Sequence, residues 1–224
     1  MKKKSAIEEL LVVMARLRGP GGCPWDRAQD HKSIRLHAIE EVYEVIDAIE
    51  AGDDNELEEE LGDLLLQVVF HCQLARERGA FDFERVTRRI VEKLIGRHPH
   101  VFGESTAKTV EAVWTQWEKI KQAEKHGTRH ERTSALDGIP RHLPALLRTE
   151  KLVKKARKHG LLTAEKKGAE PKRSRAAVAR ELFALTSYAQ SRGWSAEALL
   201  RTESGKAEKH WRRVEAKTAK IKPG

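Results

Sequence analysis

Two long helical patterns separated by a short polar break dominate the first third of the sequence. Apolar residues recur at helical spacing from about Ser33 to Glu50 and again from about Asn55 to Arg78. The break, residues 52–55, combines a glycine with Asp and Asn side chains that favour the start of a new helix. Because so short a break brings consecutive helices alongside each other, the sequence predicts an antiparallel helical hairpin.

The rest of the chain also carries helical patterns. Ser5 and Glu8 have the spacing of a capping box at the start of a first helix. The charged segment 166–175 is predicted to be a linker. The further predicted helices cover residues 5–18, 83–95, 109–126, 140–160, 176–192 and 195–222. We therefore expect an all-α fold, with a bundle of four or five helices followed by a second helical module.

Charge divides the 224 residues into two parts. Residues 128–224 carry 24 Lys and Arg against 10 Asp and Glu, a net of +14, whereas residues 1–127 carry 19 and 24, a net of −5. From Leu36 to Ala75 there are twelve carboxylates and no Lys or Arg. Such a stretch repels itself unless cations or solvent screen it. We predict one domain over 1–127 and a second, basic domain over 128–224.

Four of these carboxylates form two pairs at helical spacing. Glu41 and Glu44 lie three residues apart on the first helix of the hairpin, and Glu60 and Asp63 lie three apart on the second. Antiparallel packing lets the pairs converge, and four carboxylates suit Mg²⁺, with Mn²⁺ as a substitute. No His or Cys is interleaved, which argues against zinc. The alternative is a solvated acidic helix surface without a metal, as in a helical scaffold.

Several short motifs around these carboxylates resemble those of one family. The ExxE pair and the ExxD pair, fifteen residues apart, are similar to the signature of the all-α nucleoside triphosphate (NTP) pyrophosphatases, and the neighbouring motifs resemble MazG proteins. Those motifs are GCPWD at 22–26, ELGDLL at 60–65, RHPHVF at 97–102 and SALDGIP at 134–140. The resemblance extends from about Ile7 to Leu147, and it implies the helical bundle of that superfamily.

The resemblance also implies an activity and a set of site residues. The activity is Mg²⁺-dependent hydrolysis of an NTP to the monophosphate and pyrophosphate, by attack of water at the α-phosphorus. Glu41, Glu44, Glu60 and Asp63 match the metal ligands, and either Glu40 or Glu44 would orient the water. The positions that match triphosphate or nucleotide contacts are Lys93, Arg97, Trp117 and Lys121. Related proteins are dimers, so a homodimer is expected. Trp25 would approach the nucleotide or a partner subunit, or else fill the core.

The second half departs from the family pattern. In two-domain MazG proteins a second acidic set can occur, but here Ala177 and Arg180 stand near the expected acidic places. Lys209 and Arg213 repeat the spacing of Lys93 and Arg97, so we predict a degenerate MazG-like module without metal ligands. The basic charge leaves nucleic-acid binding as an alternative function. With no apolar run long enough to span a membrane and no CxxC pair, the protein is expected in the cytoplasm.

Overall fold

The computed structural model describes the backbone of residues 4–129, 131–162 and 173–221, and side chains up to residue 218. All ten elements in these ranges are helices, which confirms the predicted all-α class. They are α1 (Ala6–Arg18), α2 (Pro24–Ala28), α3 (His37–Ala51), α4 (Asp54–Glu77), α5 (Phe83–Arg97), α6 (Pro99–Phe102), α7 (Val110–Ala123), α8 (Ala145–Lys158), α9 (Arg175–Ser191) and α10 (Ala196–Ile221). In the described ranges, no helix has the length and apolar character needed to cross a membrane.

The predicted hairpin is formed by α3 and α4, which pack against each other along their length. Gly52 ends α3 in the left-handed region, with φ of 69°, a conformation that favours glycine. The side chain of Asp53 then caps α4 by accepting hydrogen bonds from the backbone N–H groups of Asn55 and Glu56. Helix α4 therefore begins at Asp54, one residue before the predicted start near Asn55. This two-residue reversal brings the carboxylates of α3 alongside those of α4.

The core of the first part lies where α1 meets the second half of α4. Its buried members are Met14, Ile34, Val69, Phe70 and Leu74. Arg18 joins the same two helices, because its Nε and Nη2 atoms each lie 2.8 Å from an oxygen of Glu77. The apolar surface of α4 is thus used mainly in its C-terminal half, and the N-terminal half is left to carry the acidic residues.

Two stretches differ from the sequence prediction. Helix α3 begins at His37 rather than near Ser33, because the Asp30 carboxylate accepts hydrogen bonds from the backbone N–H groups of Lys32 and Ser33 and holds a turn there. The short helices α2 and α6 were not predicted. Each has a proline at its first position, where the missing N–H removes no helical hydrogen bond. Proline therefore starts a helical turn at both places.

The chain divides into two compact units, Met1–Trp117 and Glu118–Gly224, so the division falls within α7. The second unit has a core of its own around Leu136, Leu152 and Leu161, against which Trp211 packs. Helices α8 and α10 pack against each other, and the segments before and after α8 contribute Leu136 and Leu161. Most of the predicted linker, 166–175, lies outside the described residues, and α9 begins at Arg175.

A network of ion pairs joins α8 and α10 to the turn around Asp137, which precedes α8. Glu208 on α10 accepts from Arg148 at 2.6 Å and from Arg212 at 2.7 Å, and Arg212 also lies 2.8 Å from Asp137. Lys155 donates to the carbonyl oxygens of Ala135 and Asp137. These contacts give every carboxylate of the network a cationic partner.

Candidate metal centre

Three of the four predicted metal ligands converge between α3 and α4. One carboxylate oxygen from each of Glu41, Glu60 and Asp63 lies within 4.8 Å of the other two. Glu41 and Glu60 are half-buried and Asp63 is exposed, so the group opens to solvent on one side. In the described part of the chain, no other three His, Cys, Asp or Glu side chains meet in this way.

The fourth predicted ligand, Glu44, is exposed and lies one turn after Glu41 on α3. Its negative charge raises the pKa of both Glu41 and Glu60. Electrostatically, Glu44 therefore belongs to the same group, although its oxygens lie outside the set of three. We call Glu41, Glu44, Glu60 and Asp63 the carboxylate cluster.

Burial and mutual repulsion raise the pKa values of two residues in the carboxylate cluster. Burial raises the pKa of Glu41, the hydrogen bond from Gln67 opposes that rise, and the charges of Asp63 and Glu44 add to it. Burial also raises the pKa of Glu60, and the charges of Glu44 and Asp63 raise it further. In both residues the ionised form is disfavoured, as expected where like charges meet away from solvent.

The ligand chemistry of the carboxylate cluster fits a hard divalent cation. The converging atoms are all carboxylate oxygens, which are the ligands that Mg²⁺ and Mn²⁺ prefer. A cation between them would replace mutual repulsion with attraction and favour the ionised carboxylates. The open, exposed side at Asp63 leaves room for waters and substrate oxygens, which Mg²⁺ usually keeps in its shell.

Two glutamates near this site accept hydrogen bonds that the sequence analysis did not predict. Gln67 donates from Nε2 to Oε1 of Glu41 at 3.0 Å. His37 donates from Nδ1 to Oε2 of Glu40 at 2.9 Å, so Glu40 faces the start of α3. Gln67 lies four residues after Asp63, and this spacing is the signal that could have identified it.

The residues predicted to bind the substrate lie on two helices, α5 and α7. Lys93 is exposed on α5, and Arg97 follows it by one turn. The guanidinium carbon of Arg97 lies 5.8 Å from the ring centre of Trp117, which is within the range of a cation–π contact. Lys121 lies in the second unit and pairs with Glu118 at 3.2 Å. Arg97 and Trp117 thus meet.

Trp25 does not fill the core, because 56% of its surface is exposed. Its ring lies 6.5 Å from that of His37, at the start of the helix that carries Glu40, Glu41 and Glu44. In the loop motif RHPHVF, His98 donates from Nδ1 to the carbonyl oxygen of Leu94 and stabilises the end of α5.

Comparison with known proteins places the carboxylate cluster inside a recognised domain. Residues 29–102 match the sequence model of the MazG nucleotide pyrophosphohydrolase domain. The chain is 49% identical over 150 residues to the nucleoside triphosphate pyrophosphohydrolase of Escherichia coli K12, an alignment that covers 66% of this chain and 56% of that protein. It is 47% identical over 153 residues to the nucleoside triphosphate pyrophosphohydrolase/pyrophosphatase MazG of Thermotoga maritima, covering 68% and 57% respectively.

A third relative matches over more of its length. An uncharacterised 26.1 kDa protein of Streptomyces cacaoi is 39% identical over 195 residues, which are 86% of this chain and 76% of that protein. By contrast, the chain spans only about 56% of the length of the E. coli relative. The family-model match at residues 29–102 includes the whole carboxylate cluster. Much of the length of the E. coli and T. maritima proteins has no counterpart in the alignment.

Proposed function

The chain belongs to the MazG family, and we propose that it is a Mg²⁺-dependent nucleoside triphosphate pyrophosphohydrolase. The reaction would convert an NTP or dNTP and water into the monophosphate and pyrophosphate, in a role that clears nucleotides from the cellular pool. The observation that carries the proposal is the convergence of the oxygens of Glu41, Glu60 and Asp63 within 4.8 Å, inside the matched domain. The names of the E. coli and T. maritima relatives support the reaction type.

In this proposal the carboxylate cluster holds Mg²⁺, or Mn²⁺ in its place. A divalent cation there supplies positive charge to the phosphate oxygens and lowers the pKa of water that it binds. Glu41, Glu60 and Asp63 contribute oxygens from two helices, and Glu44 adds a fourth carboxylate at the exposed edge. Glu40 and Glu44 are the two candidates for orienting the attacking water.

The phosphates also need fixed positive groups. We assign this role to Lys93 and Arg97, which follow each other by one turn on α5, and to Lys121 on α7. Arg97 stays charged at any physiological pH and offers several N–H donors in one plane. Trp117, whose ring contacts Arg97, is assigned to the nucleotide, because a planar ring provides apolar area and a stacking face.

The proposal is tested by pyrophosphate release from a panel of NTPs and dNTPs, with and without Mg²⁺. We expect Glu41→Gln and Asp63→Asn to reduce kcat/KM by more than the roughly 10- to 100-fold that loss of an outer-shell partner costs. Glu58→Gln is the matched control, because Glu58 is an exposed carboxylate on α4 that points about 160° away from Glu60. It should keep the activity of the parent protein.

Two outcomes would contradict this function. Pyrophosphate release that survives both substitutions would place the reaction elsewhere in the chain. Absence of turnover on every nucleotide, combined with tight and salt-sensitive binding of DNA or RNA, would favour the alternative of a basic nucleic-acid-binding protein. That alternative rests on the second unit, where the exposed face of α8 presents Lys154, Arg157 and Lys158.

We propose that the protein is a homodimer that pairs through its first unit. Large apolar side chains on the exposed face of α3 follow helical spacing, and α4 adds others beside them. They are Ile39, Val42, Tyr43, Ile46 and Ile49 on α3, and Leu61, Leu65 and Val68 on α4. Exposed apolar surface of this extent is typical of an interface. Light scattering should give twice the chain mass, and Tyr43→Glu with Ile46→Glu should give a monomer.

Two further proposals concern the second half and the place of action. We propose that the second unit is a degenerate MazG-like module, which contributes packing or anion contacts and no metal ligands. Both cysteines, Cys23 and Cys72, are free thiols, and Cys72 is buried. Free thiols suit a reducing compartment, and on this basis we place the protein in the cytoplasm. Fractionation of cells that express the chain checks this.

A further inference from the structure

The hydrogen bond between Gln67 and Glu41 connects the carboxylate cluster to a neutral side chain on the same face of α4. Gln67 is half-buried and follows Asp63 by four residues and Glu60 by seven, so the three side chains project from one side of the helix. Its amide Nε2 lies 3.0 Å from Oε1 of Glu41 on α3. The contact therefore joins the two helices that supply the carboxylates.

Glu41 needs such a contact more than a surface glutamate does. Its side chain has three rotatable bonds, and the neighbouring negative charges of Asp63 and Glu44 push its carboxylate away from the place where a cation would lie. An N–H on one oxygen fixes the plane of the carboxylate and leaves the other oxygen available. In the described part of the chain, no other side-chain N–H donates to Glu41, Glu60 or Asp63.

We infer that Gln67 is a positioning residue for the divalent cation of the proposed site, holding Glu41 in the orientation that binds it. The inference rests on the proposed function, because it takes the carboxylate cluster as the metal site. Outer-shell partners of this kind fix the ligand before the metal arrives and lower the entropy lost on binding. Gln67 itself contacts neither the cation nor the substrate.

The chemistry of glutamine suits this role better than a cationic side chain would. A lysine at position 67 would also donate to Glu41, but its charge would neutralise the carboxylates and compete with the metal. A glutamine donates without adding charge, so the carboxylates keep their full attraction for a divalent cation. Gln67→Lys and Gln67→Met are therefore expected to have opposite effects on the stability of the protein without metal.

The test measures binding of Mn²⁺ alone by electron paramagnetic resonance of the full chain, without nucleotide. We expect Gln67→Met, which keeps the length of the side chain and removes the donor, to raise the dissociation constant for Mn²⁺ about tenfold. The Mg²⁺ concentration for half-maximal pyrophosphate release should rise by the same factor. At saturating Mg²⁺, kcat should stay within about threefold of the parent value, because the positioning is then enforced by the metal.

Gln73→Met is the matched control. Gln73 lies on the same helix and donates to Glu77 at 2.9 Å, away from the carboxylate cluster, so its loss should leave the Mn²⁺ dissociation constant unchanged. Gln67→Lys provides a second variant in case Gln67→Met does not fold. We expect Gln67→Lys to raise the melting temperature without metal and to weaken Mn²⁺ binding by more than Gln67→Met does.

The outcomes separate this inference from the proposed function. If the parent protein binds Mn²⁺, Asp63→Asn abolishes the binding and Gln67→Met binds as tightly as the parent, the positioning role is wrong and the metal site stands. If Asp63→Asn leaves Mn²⁺ binding intact, the metal site itself is wrong, and the inference falls with it. Equal weakening of Mn²⁺ binding by Gln67→Met and Gln73→Met would also overturn the inference, because the loss would then not depend on the contact with Glu41.

Discussion

The carboxylate cluster of the first unit and the ion-pair network of the second unit contrast in how they treat buried charge. In the first unit, Glu41 and Glu60 meet Asp63 and Glu44 with no cationic side chain among them, and burial together with these like charges raises the pKa of both glutamates. In the second unit, Glu208 is also partly buried, but hydrogen bonds from Arg212 and Arg148 outweigh the burial and lower its pKa. The carboxylate of Glu208 is therefore compensated by cationic side chains of its own unit.

Asp137 belongs to the same ion-pair network as Glu208. Asp137 follows the same rule as Glu208, because the hydrogen bonds from the Ser134 backbone and from Arg212 overcome burial and lower its pKa. Paired charges of this kind fix the turn before α8 against α10. The carboxylate cluster has no such cationic partner among the described side chains, so a cation from solution would supply the charge that its own residues lack.

The largest expected effect comes from removing compensation in the second unit. Glu208→Gln would leave Arg148 without its carboxylate, and the Arg148 side chain is only 9% exposed. Removing one partner of a buried ion pair typically costs about 3–5 kcal/mol, and we expect the lower end because the Glu208 side chain is 18% exposed. Urea denaturation followed by circular dichroism measures the loss in free energy of unfolding.

Glu203→Gln is the matched control on the same helix. Glu203 pairs with Lys206, but both side chains are largely exposed, at 70% and 68%. Exposed pairs contribute about 0–1 kcal/mol, so this variant should unfold close to the parent protein. Equal losses in the two variants would show that the second unit does not depend on its buried network, and the contrast between the units would fail.

The next effect is stabilisation of the first unit by metal. If the carboxylate cluster binds Mg²⁺ only in the folded state, saturation to 100 times the dissociation constant should stabilise the protein by about 2.7 kcal/mol. Thermal unfolding at increasing Mg²⁺ measures this, and Asp63→Asn should remove most of the shift. A rise that persists in Asp63→Asn would mean that Mg²⁺ acts at another place.

A smaller stabilisation is expected from the substitution Glu41→Gln when no metal is present. Glu41→Gln removes one negative charge from the carboxylate cluster and relieves repulsion with Asp63 and Glu44. Like charges at helical spacing cost roughly 0.2–0.5 kcal/mol per pair, so the variant should melt slightly above the parent protein in a chelating buffer. A variant that is more stable but inactive would support the view that the carboxylate cluster lacks compensating charge. A lower melting temperature would show that the charge of Glu41 is already compensated in the protein without metal.

Much of the fold could be predicted because the helices carry regular apolar spacing and clear end signals. The hairpin of α3 and α4, which positions the carboxylates, follows from the short break at Gly52 and Asp53. The start of α3 was wrong by about four residues, because the Asp30 turn depends on side-chain hydrogen bonds that periodicity does not reveal. The proline-initiated helices α2 and α6 are too short to show a period.

The carboxylate cluster was predictable for a different reason. Spacing within each helix paired Glu41 with Glu44 and Glu60 with Asp63, and the hairpin brings Glu41 together with Glu60 and Asp63. The contact of Gln67 with Glu41 depends on which turn of α4 lies opposite which turn of α3, and that register is set by packing. The same limit applies to Arg97 and Trp117, whose contact joins α5 to α7 across the short helix α6 and the segment that follows it.

The smallest expected effect concerns a pair of histidines in the first unit. His31 and His71 stack with ring centres 5.1 Å apart, and their Nδ1 atoms lie 2.8 Å apart in a hydrogen bond. Burial lowers the pKa of His71, and His31 lowers it further. The folded state thus binds protons less readily than the unfolded state, so stability should be complete above the ordinary pKa of about 6.5 and should decrease as the pH falls below it.

Melting temperatures measured from pH 7.5 to pH 5 in the parent protein and in His71→Phe test this sign. The phenylalanine keeps a ring against His31 but cannot take up a proton. We therefore expect the acid-side loss of stability to be shallower in His71→Phe, even if the variant is less stable at pH 7.5 because the hydrogen bond is gone. An identical slope in both proteins would show that protonation of His71 does not oppose folding, and that burial of this pair has no electrostatic consequence.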